Sequence, residues 1–534
     1  MTTQSRRKPF DHTAQTGHPH RWRVLAVLLV GLLLVVLDTS ILNVALKTLA
    51  EPAPEGLGAS PGALQWSIDS YTLVFAALLL TTGALADRWG RKRVLLAGLA
   101  VFGACSLWSA YARSADELIV ARAGLGVGAA LVLPATLAII MAVFPPAERA
   151  QAIGLWAGAA GLAVALGPIT GGALLEHFWW GSVFLINLPI VLIGAVAALV
   201  VVPESKDPAR GGLDPLGAVL SVAGLTSLVY GVIRGGESDH WAQAAVWAPI
   251  LAGLLILGLF ALWEHRTARP ALDVALFTVR RFSAAVTVIG LVFFALLGAT
   301  FFLVFYLQSV RGWTPLEAGF LLLPLALAQL ACSAPATLLA KRIGAGPVCA
   351  TGMLLTSLAF LAVAGIDERT EVWVIESVLF VMGLGIACVM PPATSAAMSA
   401  VSQDRAGTGS AVTTTFRQVG GALGVAVLGS VLSAAYRSRI EEHLGPLPAP
   451  VRDSARESIA TTLTVAKELG PRGAPLAGRA VDAFVAAMHL TALVAAGVTL
   501  LGAFVSLLFL PSRTSAGAPG AQEAVTREVH TTEV

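Results

Sequence analysis

Fourteen apolar runs of about 18 to 28 residues, spread along 534 residues, leave this chain few ways to fold. At 1.5 Å per helical residue, each is about long enough to cross a bilayer core of roughly 30 Å. Their approximate limits are 24–49, 66–86, 94–112, 117–143, 151–175, 182–202, 214–235, 244–263, 283–308, 315–340, 346–366, 372–398, 407–435 and 484–510. Lipid offers the backbone no hydrogen-bond partners, so a single segment crosses only as a helix. The expected fold is an all-α membrane protein with 14 transmembrane helices. Composition excludes a water-soluble fold, since only 13% of residues are charged, against about a quarter in an average soluble domain. The 53 glycines fit helices that pack closely in lipid.

Charge placement orients the bundle. With the N-terminus inside, the inner tails and loops hold 21 of the 35 Lys and Arg residues, and the short outer loops hold five: Lys47, Arg113, Arg234, Arg311 and Arg369. Positive residues stay on the cytoplasmic side, so both termini are expected inside. Seven more cations lie in the long outer loop 436–483, where length weakens the rule. Residues 1–23 and 511–534 read as cytoplasmic tails. The first apolar run is too long for a signal-peptide core, so no cleavable signal is expected. A net charge of +3 is too small to imply nucleic acid. Cys105, Cys332, Cys349 and Cys388 lie in or beside apolar runs without metal-ligand spacing and read as packing residues. Within the outer loop, Asp453 to Leu469 reads as a surface helix with Ile459, Leu463 and Ala466 on one face, either a passive cap or a lid.

Between the second and third runs lies Gly83-Ala-Leu-Ala-Asp-Arg-Trp-Gly-Arg-Lys-Arg93, one acid and four cations in a tight turn. The chain repeats it. Leu85-Ala-Asp-Arg-Trp-Gly90 is echoed by Leu339-Ala-Lys-Arg-Ile-Gly344. Gly124-Leu-Gly126 and Pro134-Ala-Thr136 return as Gly383-Leu-Gly385 and Pro392-Ala-Thr394. Glu148-Arg149-Ala150 returns as Asp404-Arg405-Ala406. The order and near-constant spacing pair runs 1–6 with runs 9–14. The expected organisation is a six-helix half over 24–202, two inserted helices with their loops over 203–282, and a second six-helix half over 283–510. Two like-oriented halves about a central site is an alternating-access arrangement.

These motifs resemble the major facilitator superfamily, specifically its fourteen-span drug:proton antiporter branch. The turn Gly83–Arg93 is similar to the superfamily signature between spans 2 and 3. Leu37-Asp-Thr-Ser-Ile-Leu-Asn-Val-Ala-Leu46 resembles the span-1 motif of the branch, although Lys47 stands where the branch usually has Pro. Arg122 with Gly126 and Gly128 resembles its span-4 motif. Gly167-Pro-Ile-Thr-Gly-Gly172 resembles the span-5 motif of antiporters, and Phe184-Leu-Ile-Asn-Leu-Pro189 and Arg417-Gln-Val-Gly-Gly421 also fit.

Each motif carries a bland reading and a functional one. Asp38 lies mid-span, where an ionised carboxylate costs roughly 3 kcal/mol and needs a cavity or a partner. It is either a helix-to-helix hydrogen bond or a proton- and substrate-coupling group. Arg122 is either one half of a fixed ion pair or, as the resemblance implies, coupled to the proton site. Arg417 has the same two readings. Asp69 and Glu376, near outer span ends, reach interfacial water or else attract cations and carry protons. In span 5, Gly154, Gly158, Gly161, Ala165, Pro168 and Gly172 form a small-residue stripe that admits a close neighbour, and Pro168 permits a bend. With Gly167 and Gly171, the resemblance adds a seal against proton leak. Gly83, Asp87, Arg88, Gly90 and Arg91 are the expected gating residues. Here the resemblance implies that Asp87 latches one half to a helix N-terminus of the other, whose dipole attracts an acid. Gly124-Leu-Gly-Val-Gly128 is not a nucleotide loop, because it lies inside an apolar helix with no strand before it.

The function expected is proton-coupled efflux of amphipathic drugs or antibiotics, by a monomer in a bacterial plasma membrane. It needs no cofactor, metal or enzymatic step. The alternative is a dedicated exporter or importer of one metabolite, such as a self-made antibiotic, a siderophore or an osmolyte.

Overall fold

The computed structural model describes residues 18–206, 214–237, 243–267, 274–401, 406–444, 452, 455–456 and 458–512. Asp404, Arg405 and most of both tails lie outside them. No strand occurs among the described residues. The helices are α1 (Arg21–Ala50), α2 (Pro61–Trp89), α3 (Arg91–Ala110), α4 (Ala115–Val143), α5 (Pro146–His177), α6 (Ser182–Val201), α7 (Pro215–Glu237), α8 (Ala244–Arg266), α9 (Arg280–Val310), α10 (Pro315–Ile343), α11 (Ala345–Val363), α12 (Val372–Ser399), α13 (Ala406–Leu444), α14 (Ile459–Glu468) and α15 (Ala474–Phe509). Twelve helices among the described residues are long and apolar enough to cross a membrane. Two more, α2 and α5, are 29 and 32 residues long and pack within the same bundle.

Local sequence sets the boundaries. Ser60 accepts from the Ala63 N–H ahead of Pro61 to start α2, and Ser114 accepts from the Glu117 N–H to start α4. Thr314 and Glu317 close a reciprocal capping box at α10. Single residues join α2 to α3 and α10 to α11: Gly90 at φ 112° and Gly344 at φ 98°. Only glycine enters that region without a steric cost, so the repeated tight turn requires it. Each turn is closed from behind by the chain leaving a later helix. The Arg91 N–H donates to the Ser205 carbonyl at 3.0 Å, and the Gly346 N–H to the Pro511 carbonyl at 3.0 Å. Glu204 adds a cap on the Lys92 N–H at 3.2 Å.

Packing follows the repeat. The pairs α1–α5, α2–α4, α3–α4, α3–α6 and α1–α6 have counterparts α9–α13, α10–α12, α11–α12, α11–α15 and α9–α15. The two sets meet along two seams, α2–α13 and α5–α10, which are themselves related by the repeat. Helix α7 lies against the first seam. There Leu73, Leu225, Val229, Ile233, Ala422 and Ala426 form a separate apolar cluster. Helix α8 packs on α7, and Asp214 pins the pair by accepting from the Gly217 N–H at 2.8 Å and the Trp263 Nε1–H.

The outer loop is shorter than the sequence indicates. Helix α13 runs on to Leu444 and α15 starts at Ala474; α14 packs on α15 and meets α13 at Tyr436. Tyr436 Oη lies 2.7 Å from Thr462 Oγ1, and Ile440, Leu444, Ile459 and Ala466 are all buried. Residues 445–451, with three prolines of the expected loop, lie outside the described set.

Close approach at repeated glycines holds each half together. A Cβ on Gly126 would meet the Tyr71 carbonyl oxygen at 2.5 Å, and one on Gly383 would run into the Leu325 carbonyl oxygen. Gly126→Val and Gly383→Val are each expected to destabilise by about 1–3 kcal/mol, the usual cost of overpacking. Thermal melting of the detergent-solubilised protein checks this. The Ala variants should fall less than the Val variants.

Candidate functional site

Helix α1 carries Asp38 to the middle of the first half. Arg122, two turns into α4, donates from Nη1 to Asp38 Oδ2 at 2.5 Å, and both side chains are 1% exposed. Three further groups hold the pair. Arg122 Nε donates to the Ser67 carbonyl of α2 at 3.0 Å, and the guanidinium lies 4.5 Å from the Tyr71 ring centroid. Asn187 Nδ2 donates to Asp38 Oδ1 at 2.8 Å and to Ser106 Oγ at 2.8 Å. Ser106 in turn donates to the Phe184 carbonyl at 3.0 Å. That carbonyl is available because α6 breaks at Ile186 into Ser182–Leu185 and Asn187–Val201, with Pro189 lacking an N–H just beyond. Five helices of one half thus converge on one carboxylate.

In this structure Arg122 is the buried partner of Asp38. Asn187 is the site residue that sequence reasoning missed. Its signal was present: an amide inside an otherwise apolar run, followed by proline. Its Oδ1 is buried without a hydrogen-bond partner.

Asp69 departs from expectation. Far from reaching interfacial water, its side chain is 0% exposed and both carboxylate oxygens are buried without a partner. The reason is packing: α13 and α7 cover that face of α2. Gln65, one turn before Asp69, lies against Gly429 of α13, and Trp66 packs near Tyr230 of α7 with ring centroids 6.4 Å apart. Glu376 is half-buried near the outer end of α12, away from the Asp38 cluster. Arg417 is half-buried on α13 with its Cζ 5.4 Å from the Phe293 ring centroid.

The span-5 motif lies at a seam. A Cβ on Gly167 would strike Ser40 of α1, and one on Gly171 would crowd Ile41 at 3.1 Å. A Cβ on Gly172 would meet Leu316 Cα of α10 at 2.5 Å, and Gly319 of α10 sits equally tightly on the Pro168 carbonyl. The motif therefore packs α5 on α1 and on the opposite half at once. The side chains at Gly154, Gly158, Gly161 and Ala165 lie outside the described set. In the gating turn, Gly90 is the αα hinge described above, and Arg88 is exposed. Gly83 lies within α2, and the Asp87 side chain lies outside the described set. Arg91 donates its backbone N–H to Ser205.

At the end of the bundle opposite the Gly90 and Gly344 turns the halves are cross-linked by polar bonds. Lys47 Nζ donates to the Gln308 carbonyl at 3.1 Å, and Gln308 Nε2 donates to the Val44 carbonyl at 3.0 Å. The π-helical turn Tyr306–Val310 that ends α9 places Gln308 there. A separate cavity of about 540 Å³ lies between α2 and α7, lined by Leu78, Val219, Val222, Thr226 and Tyr230. It shares no residue with the Asp38 cluster.

Residues 28–425 match the model of the Major Facilitator Superfamily. The chain belongs to that superfamily. Among curated relatives, it is 36% identical to the multidrug efflux pump LfrA of Mycolicibacterium smegmatis over 91% of this chain and 95% of that one. It is 35% identical to the methyl viologen resistance protein SmvA of Salmonella typhimurium over 92% and 98%. It is 31% identical to the tetracenomycin C resistance and export protein of Streptomyces glaucescens over 97% and 98%. Among solved structures, a bacterial homologue of the human lysosomal transporter Spinster, in an inward-facing and unoccupied conformation, superposes with TM-score 0.64 at 18% identity. That superposition covers 93% of this chain and 99% of that one, and it establishes the fold.

Asn187 orients Asp38 without adding charge, so its loss should be read in activity before stability. Asn187→Leu is expected to accumulate in the membrane and to shift the pH dependence of transport, with activity lowered on the order of tenfold, the loss of about one charge-assisted hydrogen bond. A pH profile of transport in vesicles, set beside the melting temperature, checks this.

Proposed function

We propose that this chain is a proton-coupled exporter of amphipathic drugs or antibiotics, working by alternating access across a bacterial plasma membrane. Fourteen spans are inferred, counting α2 and α5 with the twelve, and the Lys and Arg distribution places both termini inside. The two six-helix sets are the moving halves, and α7–α8 is an insertion beside one seam. The outer cross-links at Lys47 and Gln308 support a state closed to the outside.

The observation that carries the coupling is the polar content of the first half. Asp38 is paired with Arg122, whereas Asp69 is buried and forms no ion pair among the described residues. An unpaired carboxylate at that depth is tolerated as the neutral acid. We infer that Asp69 holds a proton in this state and that Asp38 exchanges Arg122 for a proton or a cationic substrate in another. Glu376, at the outer end of α12, is assigned to cation attraction. A membrane potential of 100 mV contributes about 2.3 kcal/mol per charge, enough for a concentration ratio near fifty.

The test is acid-driven substrate uptake into inverted vesicles. Asp38→Asn and Asp69→Asn should each abolish proton-dependent uptake while leaving substrate binding measurable. If Asp38→Asn transports like the parent, the coupling assignment is wrong. The relatives named for resistance to one antibiotic favour a second reading, a dedicated exporter. A susceptibility panel in a strain lacking its own pumps separates them, because protection against many unrelated compounds supports the first.

Asp87 is proposed as the cytoplasmic latch between halves. Its counterpart at the second turn is Lys341, so closing a turn does not demand an acid. Asp87→Asn should leave melting unchanged and slow turnover several-fold. Transport at the parent rate would remove the latch.

A further inference from the structure

The second half lacks the ion pair of the first and carries a cation instead. Arg417 lies eleven residues into α13, roughly 16 Å along the helix at 1.5 Å per residue, close to the bilayer midplane. Its Nε is buried without a hydrogen-bond partner, and no acid pairs with it among the described residues. A lone guanidinium at that depth faces the bundle interior or a cavity, and its cost demands a use.

Its surroundings combine a tight helix contact with aromatic faces. One turn beyond, Gly420 presses on the Gly290 backbone of α9, and Gly424 presses on that of Phe294. The two helices touch there, one turn from Arg417. The guanidinium stands over Phe293 at 5.4 Å, and Phe416 beside it packs on Phe277 with centroids 5.3 Å apart. Helix α13 contacts both α9 of its own half and α2 of the other, so it lies at the seam between the halves. A planar fork of N–H donors beside aromatic faces matches an aromatic ring system bearing a carboxylate or phenolate: oxygen acceptors meet the fork and the ring stacks on phenyl.

We propose that Arg417 is the substrate-docking residue for anionic, oxygen-rich aromatic compounds, so that this transporter takes flat acids as well as cations. The assignment rests on the efflux reading and deepens it. Cationic compounds use the acids of the first half and have no need of Arg417.

The experiment measures energy-dependent exclusion of two flat dyes from cells lacking their own pumps: a carboxylated xanthene and a cationic phenanthridinium. Arg417→Met should lower xanthene export on the order of tenfold or more, the value of one charge-assisted contact. Phenanthridinium export should stay within about twofold, well under the factor of ten that 1.4 kcal/mol would give. Arg417→Lys, which keeps the charge and loses the fork, should fall between, and it carries the test if the Met variant does not accumulate in the membrane. Equal loss of both dyes overturns the proposal and makes Arg417 part of coupling or folding. Unchanged export of both overturns it as well. A parent protein that excludes only the phenanthridinium also overturns it. One that excludes neither dye overturns the efflux reading beneath it.

Discussion

The ion pair between Asp38 and Arg122 is the constraint on which the first half depends. Two charges stand with almost no exposure inside a bundle otherwise built from aliphatic and small residues. Removing one partner of such a pair typically costs about 3–5 kcal/mol, because the other is left charged and dry. Geometry must therefore be held from several sides. Helix α2 contributes a carbonyl and a ring, α3 a hydroxyl, and the broken α6 an amide. The break at Ile186 and the packing of α6 on α1 and α3 are consequences of serving that carboxylate.

The second half repeats the helices and not the chemistry. Its packing pairs match those of the first half, and its αα hinge at Gly344 matches Gly90. Where the first half concentrates acids, the second presents Arg417 over Phe293. A duplicated scaffold with unlike polar interiors gives each half a separate task. Glycine makes the scaffold itself possible. At Gly172 on Leu316, and at Gly319 on Pro168, helices of opposite halves approach to backbone contact. In lipid, where apolar burial drives little association, that close packing is what holds helices together.

Much was legible in the sequence because lipid imposes a severe rule. Each apolar run had to be helical, and each of the fourteen segments coincides with helical structure, overrunning it by at most three residues at an end. Gly90 and Gly344 were readable as equivalents from the repeat alone. Asp38 and Arg122 stood out as charges inside apolar runs. Asn187 did not, since a single amide is cheap enough in a membrane helix to pass unnoticed. Asp69 was misplaced for a related reason. Three residues into the run 66–86 is shallow by count, yet the helix starts at Pro61 and Asp69 is fully buried. The outer loop failed similarly: α13 and α15 extend past the apolar pattern, and α14 packs on α15 and meets α13 at Tyr436.

By itself the sequence determined the class of fold, the internal repeat and the superfamily. Those follow from hydropathy, charge bias and local turn chemistry, all of which act within a few residues of chain. Tertiary structure alone decided that Arg122 belongs to Asp38, that Asn187 completes the pair, that Asp69 is sealed and that Arg417 pairs with no acid among the described residues. The physical reason is distance along the chain. Asp38 and Arg122 are 84 residues apart and Asp38 and Asn187 are 149 apart. No periodicity links them, and only the packing of five helices brings their side chains within hydrogen-bond reach.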